Sequence, residues 1–274
     1  MANNTENQVT QETTLFAEPI FHVGQFTITN SIITSWVTVL ILVILFVFIG
    51  KKIKKIPRGI QNIFELVLES ALNLADSVTG DRKKTEKFMP IALALFFFVL
   101  VNNWLGLLPG VGTIGFVEGE NGQRIFAPLF RGGTADLNTT LAISLLAVIV
   151  SHVFGVVSVG AWKYFNKFIN VKALLAIPGG IRKDPSIVLV NPIKVFVGIV
   201  EIIGEIAKIA SLSFRLFGNI FAGEVLLVSM MAIFSYLLPI PFMFLEILVG
   251  VIQALIFAML TMVFMTIASA EEEH

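Results

Sequence analysis

The chain has 274 residues, 56% of them hydrophobic and only 14% charged, and its 19 basic and 19 acidic side chains cancel. Soluble domains carry roughly 25% charged residues. The composition therefore excludes an ordinary water-soluble globule and implies an all-α integral membrane protein of several helices; the lack of cysteine excludes disulfides and thiol chemistry.

Residues 1–30 contain Glu6, Glu12 and Glu18 but no Lys or Arg, unlike a secretory signal. They are expected to form an outer tail before one helical membrane domain over 31–274. Residues 32–50 are apolar and long enough to cross a ~30 Å hydrocarbon core. They end in KKIKKIPR (51–58), which marks the cytoplasmic side by the positive-inside rule. Over 60–78 the apolar residues Ile60, Phe64, Val67, Leu68, Ala71 and Ala75 recur at helical spacing, opposite Gln61, Glu65, Glu69 and Asp76. That pattern predicts an amphipathic helix on the cytoplasmic membrane surface.

A second crossing is expected over 89–108, ending in Asn102-Asn103-Trp104 and Pro109-Gly110. A polar, Gly-rich loop follows, and Asp136 is the expected N-cap of a third crossing, 137–162. Lys163, Lys167, Lys172, Arg182 and Lys183 mark the cytoplasmic side again. The last two helices, 191–235 and 241–270, are too long for upright spans. About 45 residues reach ~67 Å and about 30 reach ~45 Å. Both are expected to tilt strongly and to form a hairpin at 235–241. The acidic C-terminus, Glu271 to His274, is then cytoplasmic, giving five crossings plus one surface helix.

Arg215 lies deep in the apolar stretch 195–238. Its guanidinium stays charged at any reachable pH, and a charge at the centre of a membrane helix costs ~2.5–3.5 kcal/mol or more. At 100° per residue, Glu201, Lys208, Arg215 and Asn219 share one stripe, while Glu224 points to the opposite side about 13 Å further on. Small residues (Ala207, Ala210, Ser211, Gly218, Ala222, Gly223) suggest a surface open to close approach by a partner helix. Glu246 and Gln253 share a face of the last helix. Intramembrane carboxylates suit proton relay, whereas Arg215 can act only electrostatically. Glu246 could instead pair with Arg215 or Lys208 as a structural ion pair. His152 reads as a packed or interhelical hydrogen-bonding residue in preference to a proton relay. No nucleotide loop, metal-ligand spacing or nucleophile constellation is present, and no cofactor or nucleic-acid partner is expected.

SFRLFGNIFAGE (213–224), with NPI before it and IQALIFAMLTMVF after it, closely resembles subunit a of the F-type ATP synthase membrane sector; NNWLGLLP (102–109) and ADLNTTLA (135–142) resemble two further family segments. The resemblance implies a stator beside a rotating ring of c subunits, with two offset half-channels carrying protons to and from the ring carboxylates. It implies that Arg215 separates the half-channels, that Asn219, Glu224, Glu246 and Gln253 belong to the outer one, and that Glu201 and Lys208 belong to the inner one. Many bacterial members have histidine where this chain has Glu246, so Glu224 and Glu246 would form a coupled acid pair. Partners implied are the c ring, the subunit b peripheral stalk, the remainder of the complex and membrane lipid. The implied location is the bacterial plasma (inner) membrane, with the N-terminus outside. The competing readings are a stand-alone secondary ion transporter and a structural scaffold. The chain shows no internal repeat of the transporter type, and a scaffold leaves Arg215 unexplained.

Overall fold

A computed structural model describes residues 16–51, 59–108, 110–120, 123–168, 187–235 and 237–270. The basic residues at 52–58 and 172–183 and the acidic residues 271–273 lie outside the described residues. The elements, in order, are strands β1 (Pro19–Val23) and β2 (Phe26–Thr29), then helices α1 (Asn30–Lys51), α2 (Ile60–Thr79) and α3 (Arg82–Leu107). Strands β3 (Gly115–Glu120) and β4 (Gln123–Pro128) follow, then a 3₁₀ turn at Gly133–Ala135 and helix α4 (Leu137–Val159). The chain continues through α5 (Ala161–Phe168), α6 (Ile187–Ile233) and α7 (Pro239–Ala268). Among the described residues five helices are long and apolar enough to cross a membrane: α1, α3, α4, α6 and α7.

Two antiparallel β-hairpins, β1–β2 and β3–β4, occupy regions expected to be an outer tail and a polar loop. Helix α3 begins seven residues before the expected start, because Asp81 caps it by accepting a hydrogen bond from the Lys83 amide. The third crossing stops at Val159, three residues short of expectation. Gly160 has φ 93°, a conformation that only glycine adopts without strain. There the chain turns into α5, a separate short helix.

Helix α1 is built inside out. Its buried residues are Asn30, Ser31, Thr34, Thr38 and Leu42, while Trp36, Leu40, Ile44 and Phe48 are exposed. In water this arrangement would fail. In lipid it follows from two facts: apolar side chains gain nothing by leaving hydrocarbon, and small polar groups hold helices together by hydrogen bonds.

The core lies between α3, α4, α6 and α7. Leu95, Val99, Ala147, Val148, Leu212, Leu216, Ala254 and Phe257 interlock there. A second cluster, Ala75, Phe88, Ala92, Met262 and Met265, packs α2 against α3 and α7. At one end of the bundle α1, α4 and α7 begin and α3 and α6 finish; we call it the hairpin end. The opposite end carries α2 and α5, and we call it the basic end.

The hairpin end is closed by residues 131–136, all of them buried. Buried non-helical backbone must find its hydrogen bonds among its neighbours. Asn102 Oδ1 accepts from the Gly133 amide at 2.8 Å, and Asn103 Oδ1 accepts from the Thr134 hydroxyl at 2.6 Å. The Arg131 amide donates to Thr34 Oγ1 at 3.3 Å, and Asn103 Nδ2 donates to the Gly250 carbonyl on α7. Asp136 caps α4 as expected, accepting from the amides of Asn138 and Thr139. The approach is close enough to need glycine: a methyl at Gly106 would lie 2.9 Å from the Gly132 Cα.

Gly106→Ala is therefore expected to destabilise the fold by about 1–3 kcal/mol, the usual cost of overpacking. Thermal unfolding of the purified protein in detergent should show a lowered midpoint, and an unchanged midpoint would mean that the loop moves freely.

Candidate functional site

Helix α6 carries the polar residues singled out by the sequence, and its packing sorts them. Leu212, Ser213, Leu216 and Phe217 are buried, with Ser213 Oγ 3.2 Å from Thr140 Oγ1 on α4. Arg215 lies about 160° around the helix from Ser213 and Phe217, and its side chain is exposed. It makes no hydrogen bond and no ion pair among the described residues. The structural alternative, an ion pair of Glu246 with Arg215 or Lys208, does not form among those residues.

One turn beyond Arg215, Asn219 Nδ2 donates to Gln253 Oε1 at 2.7 Å. This bond ties α6 to α7 and brings two of the expected site residues together. Gln253 is buried, and its Nε2 has no hydrogen-bond partner among the described residues.

Toward the hairpin end, Glu224 meets a residue not foreseen from the sequence. Arg131 Nε lies 3.1 and 3.2 Å from the two carboxylate oxygens of Glu224, and a terminal guanidinium nitrogen lies 2.9 Å from Oε2. Arg131 is 6% exposed and Glu224 30%. Such a bidentate pair is among the stronger charge-assisted contacts. The buried 131–136 segment fixes where Arg131 starts, and the Phe16 carbonyl accepts a further bond from it at 3.2 Å. The sequence separation of 93 residues explains why helical spacing could not reveal this pairing.

Glu246 has a different environment. It is 6% exposed and makes no hydrogen bond or ion pair among the described residues. Its carboxyl group lies across α6 at Gly223, where any Cβ would overlap it. Gly223 thus belongs to the α6–α7 contact and not to an open small-residue surface as expected from the sequence. Gly218 does remain open, with nothing within 4 Å of the point where a Cβ would stand. Glu224 and Glu246, expected to be a coupled acid pair, sit in unequal environments. One acid is held by an arginine, and the other is buried without a charge partner among the described residues.

Both acids line one cavity of about 720 Å³ at the hairpin end, together with Arg131, Asn103, Ile220 and Met243. At the basic end a second, narrow space of about 20 Å³ is lined by Glu201, Glu205, Lys208, His152 and Tyr164. Lys208 Nζ donates to Glu205 Oε1 at 2.7 Å and lies 5.2 Å from the centre of the Phe264 ring. His152 Nδ1 is 2.6 Å from the Tyr164 hydroxyl, and its Nε2 is 3.6 Å from Glu205 Oε2. The interhelical hydrogen bonding expected of His152 is thus present. Glu205 escapes the sequence reading because the stripe is centred on Arg215, from which it lies ~80° around the helix, although it is only ~40° from Glu201. Tyr164 escapes it because the turn at Gly160 hides its proximity.

Fold and site together define a multi-pass membrane protein with cavities that reach charged side chains at both ends of the bundle and an exposed arginine between them. The family model described as ATP synthase A chain matches residues 32–266. Subunit a of the ATP synthase of Syntrophobacter fumaroxidans is 33% identical over 242 residues, covering 88% of this chain and 84% of the relative. ATP synthase subunit a 1 of Syntrophotalea carbinolica is 34% identical over 240 residues, covering 88% and 85%. The Geobacter sulfurreducens subunit is 31% identical over 245 residues, covering 89% of each. The chain belongs to the ATP synthase A chain family, the proton-translocating stator subunits of F-type ATP synthases.

Arg131→Gln leaves a largely buried carboxylate without its partner. A loss of about 1–3 kcal/mol is expected, the range for an unmet charged group, reduced here because Glu224 is partly open to water. Arg131→Gln with Glu224→Gln should recover much of that loss. Melting of the four members of this double-mutant cycle in detergent measures the coupling; simple additivity would mean that the pair contributes nothing to stability.

Proposed function

We propose that this chain carries protons along two offset paths that meet the carboxylates of a c-subunit ring at Arg215, coupling proton flow to rotation and ATP synthesis. The observation that carries the reading is the state of the charges on α6. Glu224 is engaged by Arg131, Glu205 by Lys208, and Glu246 is buried on the α7 side. Arg215 alone is exposed with no acid beside it among the described residues. A fixed guanidinium facing outward from a membrane helix attracts a carboxylate that arrives on another subunit, and it blocks passage of a free proton along its own helix. Open Gly218 next to it permits a close approach by that subunit.

On this reading the outer half-channel comprises the hairpin-end cavity, lined by Glu246 and Glu224, and the Asn219–Gln253 pair nearer Arg215. The basic-end space with Glu201 and Lys208 is the inner one. Glu246 is the acid suited to take up and release protons, because both oxygens of Glu224 are already engaged by Arg131. The N-terminus faces outward and the C-terminus the cytoplasm, in the bacterial plasma membrane. Further partners are the subunit b peripheral stalk and the rest of the synthase. The stand-alone transporter reading needs an acid of this chain opposite Arg215, and among the described residues none is there.

Arg215→Ala should abolish ATP-driven acidification of inverted membrane vesicles while the complex still assembles. Arg215→Lys should lose most of the activity, since a desolvated lysine can deprotonate. Normal pumping by Arg215→Ala would refute the assigned role. Glu246→Gln should slow pumping by about tenfold or more, in the range of a lost acid–base group, and Glu224→Gln by less. The reverse order would make Glu224 the carrier.

A further inference from the structure

We propose that His152 is a proton-carrying residue of the path at the basic end, working with Glu205. This assignment rests on the proton-path reading above and extends it to two residues outside the Arg215 stripe. Three elements converge at the site. Helix α4 supplies His152, α5 supplies Tyr164, and α6 supplies Glu201, Glu205 and Lys208. The described residues of α7 at the site, Phe264, Ile267 and Ala268, bear no charge. Glu205 and its Lys208 partner therefore face the imidazole, in a narrow space that Glu201 also lines.

The geometry gives each ring nitrogen its own task. His152 Nδ1 and the Tyr164 hydroxyl share a hydrogen bond at 2.6 Å; in the tautomer whose Nδ1–H donates to that hydroxyl, the Nε2 lone pair faces Glu205 Oε2 at 3.6 Å. Fixing one ring nitrogen determines what the other can do. A proton arriving on Glu205 passes to Nε2 through one intervening water or once the two groups close to hydrogen-bond distance: the O–H bond breaks, the N–H bond forms, and the carboxylate is left paired with Lys208. The imidazolium then releases that proton to water and becomes neutral again. A space of about 20 Å³ suffices for one water. Glu205 is ten residues from Arg215, about 15 Å along α6, so it lies at the far end of the path from the ring contact. Tyr164 is a positioning residue in this scheme, and Lys208 stabilises the ionised form of Glu205.

The test uses the whole synthase in inverted membrane vesicles, with ATP-driven acidification recorded over a range of pH. His152→Gln retains hydrogen bonding but cannot carry a proton, and it should lower pumping about tenfold. His152→Ala should show a similar loss and should regain pumping several-fold when millimolar imidazole is added. Pumping by His152→Gln within twofold of the native rate, with an unchanged pH profile, would overturn the assignment. So would an assembled His152→Ala complex that imidazole does not rescue. If His152→Ala fails to assemble, His152→Gln decides the matter alone. Arg215→Ala measured in parallel separates the two claims. Loss there with native pumping in His152→Gln removes only the role of His152, whereas native pumping in Arg215→Ala removes the path reading and this assignment with it.

Discussion

Backbone that is not helical can lie inside a membrane protein only if its polar groups find partners there. The turn at residues 131–136 meets that requirement through Asn102 and Asn103, two adjacent residues of α3 that reach in different directions. Much of the hairpin end depends on these bonds. They set the entry into α4, where Asp136 serves as cap, and they join α3 to α7 through the Gly250 carbonyl. They also place Arg131 beside Glu224. A stretch that looks like a surface loop by composition is thus the structural centre of its end of the bundle.

The charges on α6 show a consistent division. On either side of Arg215 acids are paired within the chain, Glu224 by Arg131 and Glu205 by Lys208. In the middle stands a single exposed cation. Pairing Arg215 internally would have been simple, since a carboxylate one turn away on the same face is sterically ordinary. Instead that place holds Asn219, which is bonded to Gln253. The amide pair is neutral, so it neither quenches the arginine nor repels an incoming acid.

Much of this is legible in the sequence, and the reasons for success and failure are physical. Hydropathy and helical period locate α1, α2, α3, α4, α6 and α7, because lipid imposes apolarity over a fixed length. Asp136 and the turn between α6 and α7 carry local signals and are readable for that reason. The β-hairpins are not. Their residues in 19–29 and 115–128 lack a strong alternating pattern, and pairing partners are a property of the fold. Arg131 and Glu224 are brought together by the route of the chain, which no spacing rule encodes. Glu205 can be found by asking which acids lie within three residues of Lys208. The stripe through Arg215 draws attention away from that neighbouring face. The inside-out burial of α1 is partly visible in its Asn30, Ser31, Thr34 and Thr38 series.

The two cavities differ in size by a factor of more than thirty, about 720 Å³ against about 20 Å³. Conductors placed in series do not share a load equally. If these cavities are the two half-channels, the wide vestibule is the low-resistance contact with bulk water and the narrow slot the high-resistance one. On the proposed reading, most of the drop in proton electrochemical potential along this chain's own paths falls across the slot. Changes in buffer composition at the wide end would then barely register in turnover, while the dimensions of the slot set the current.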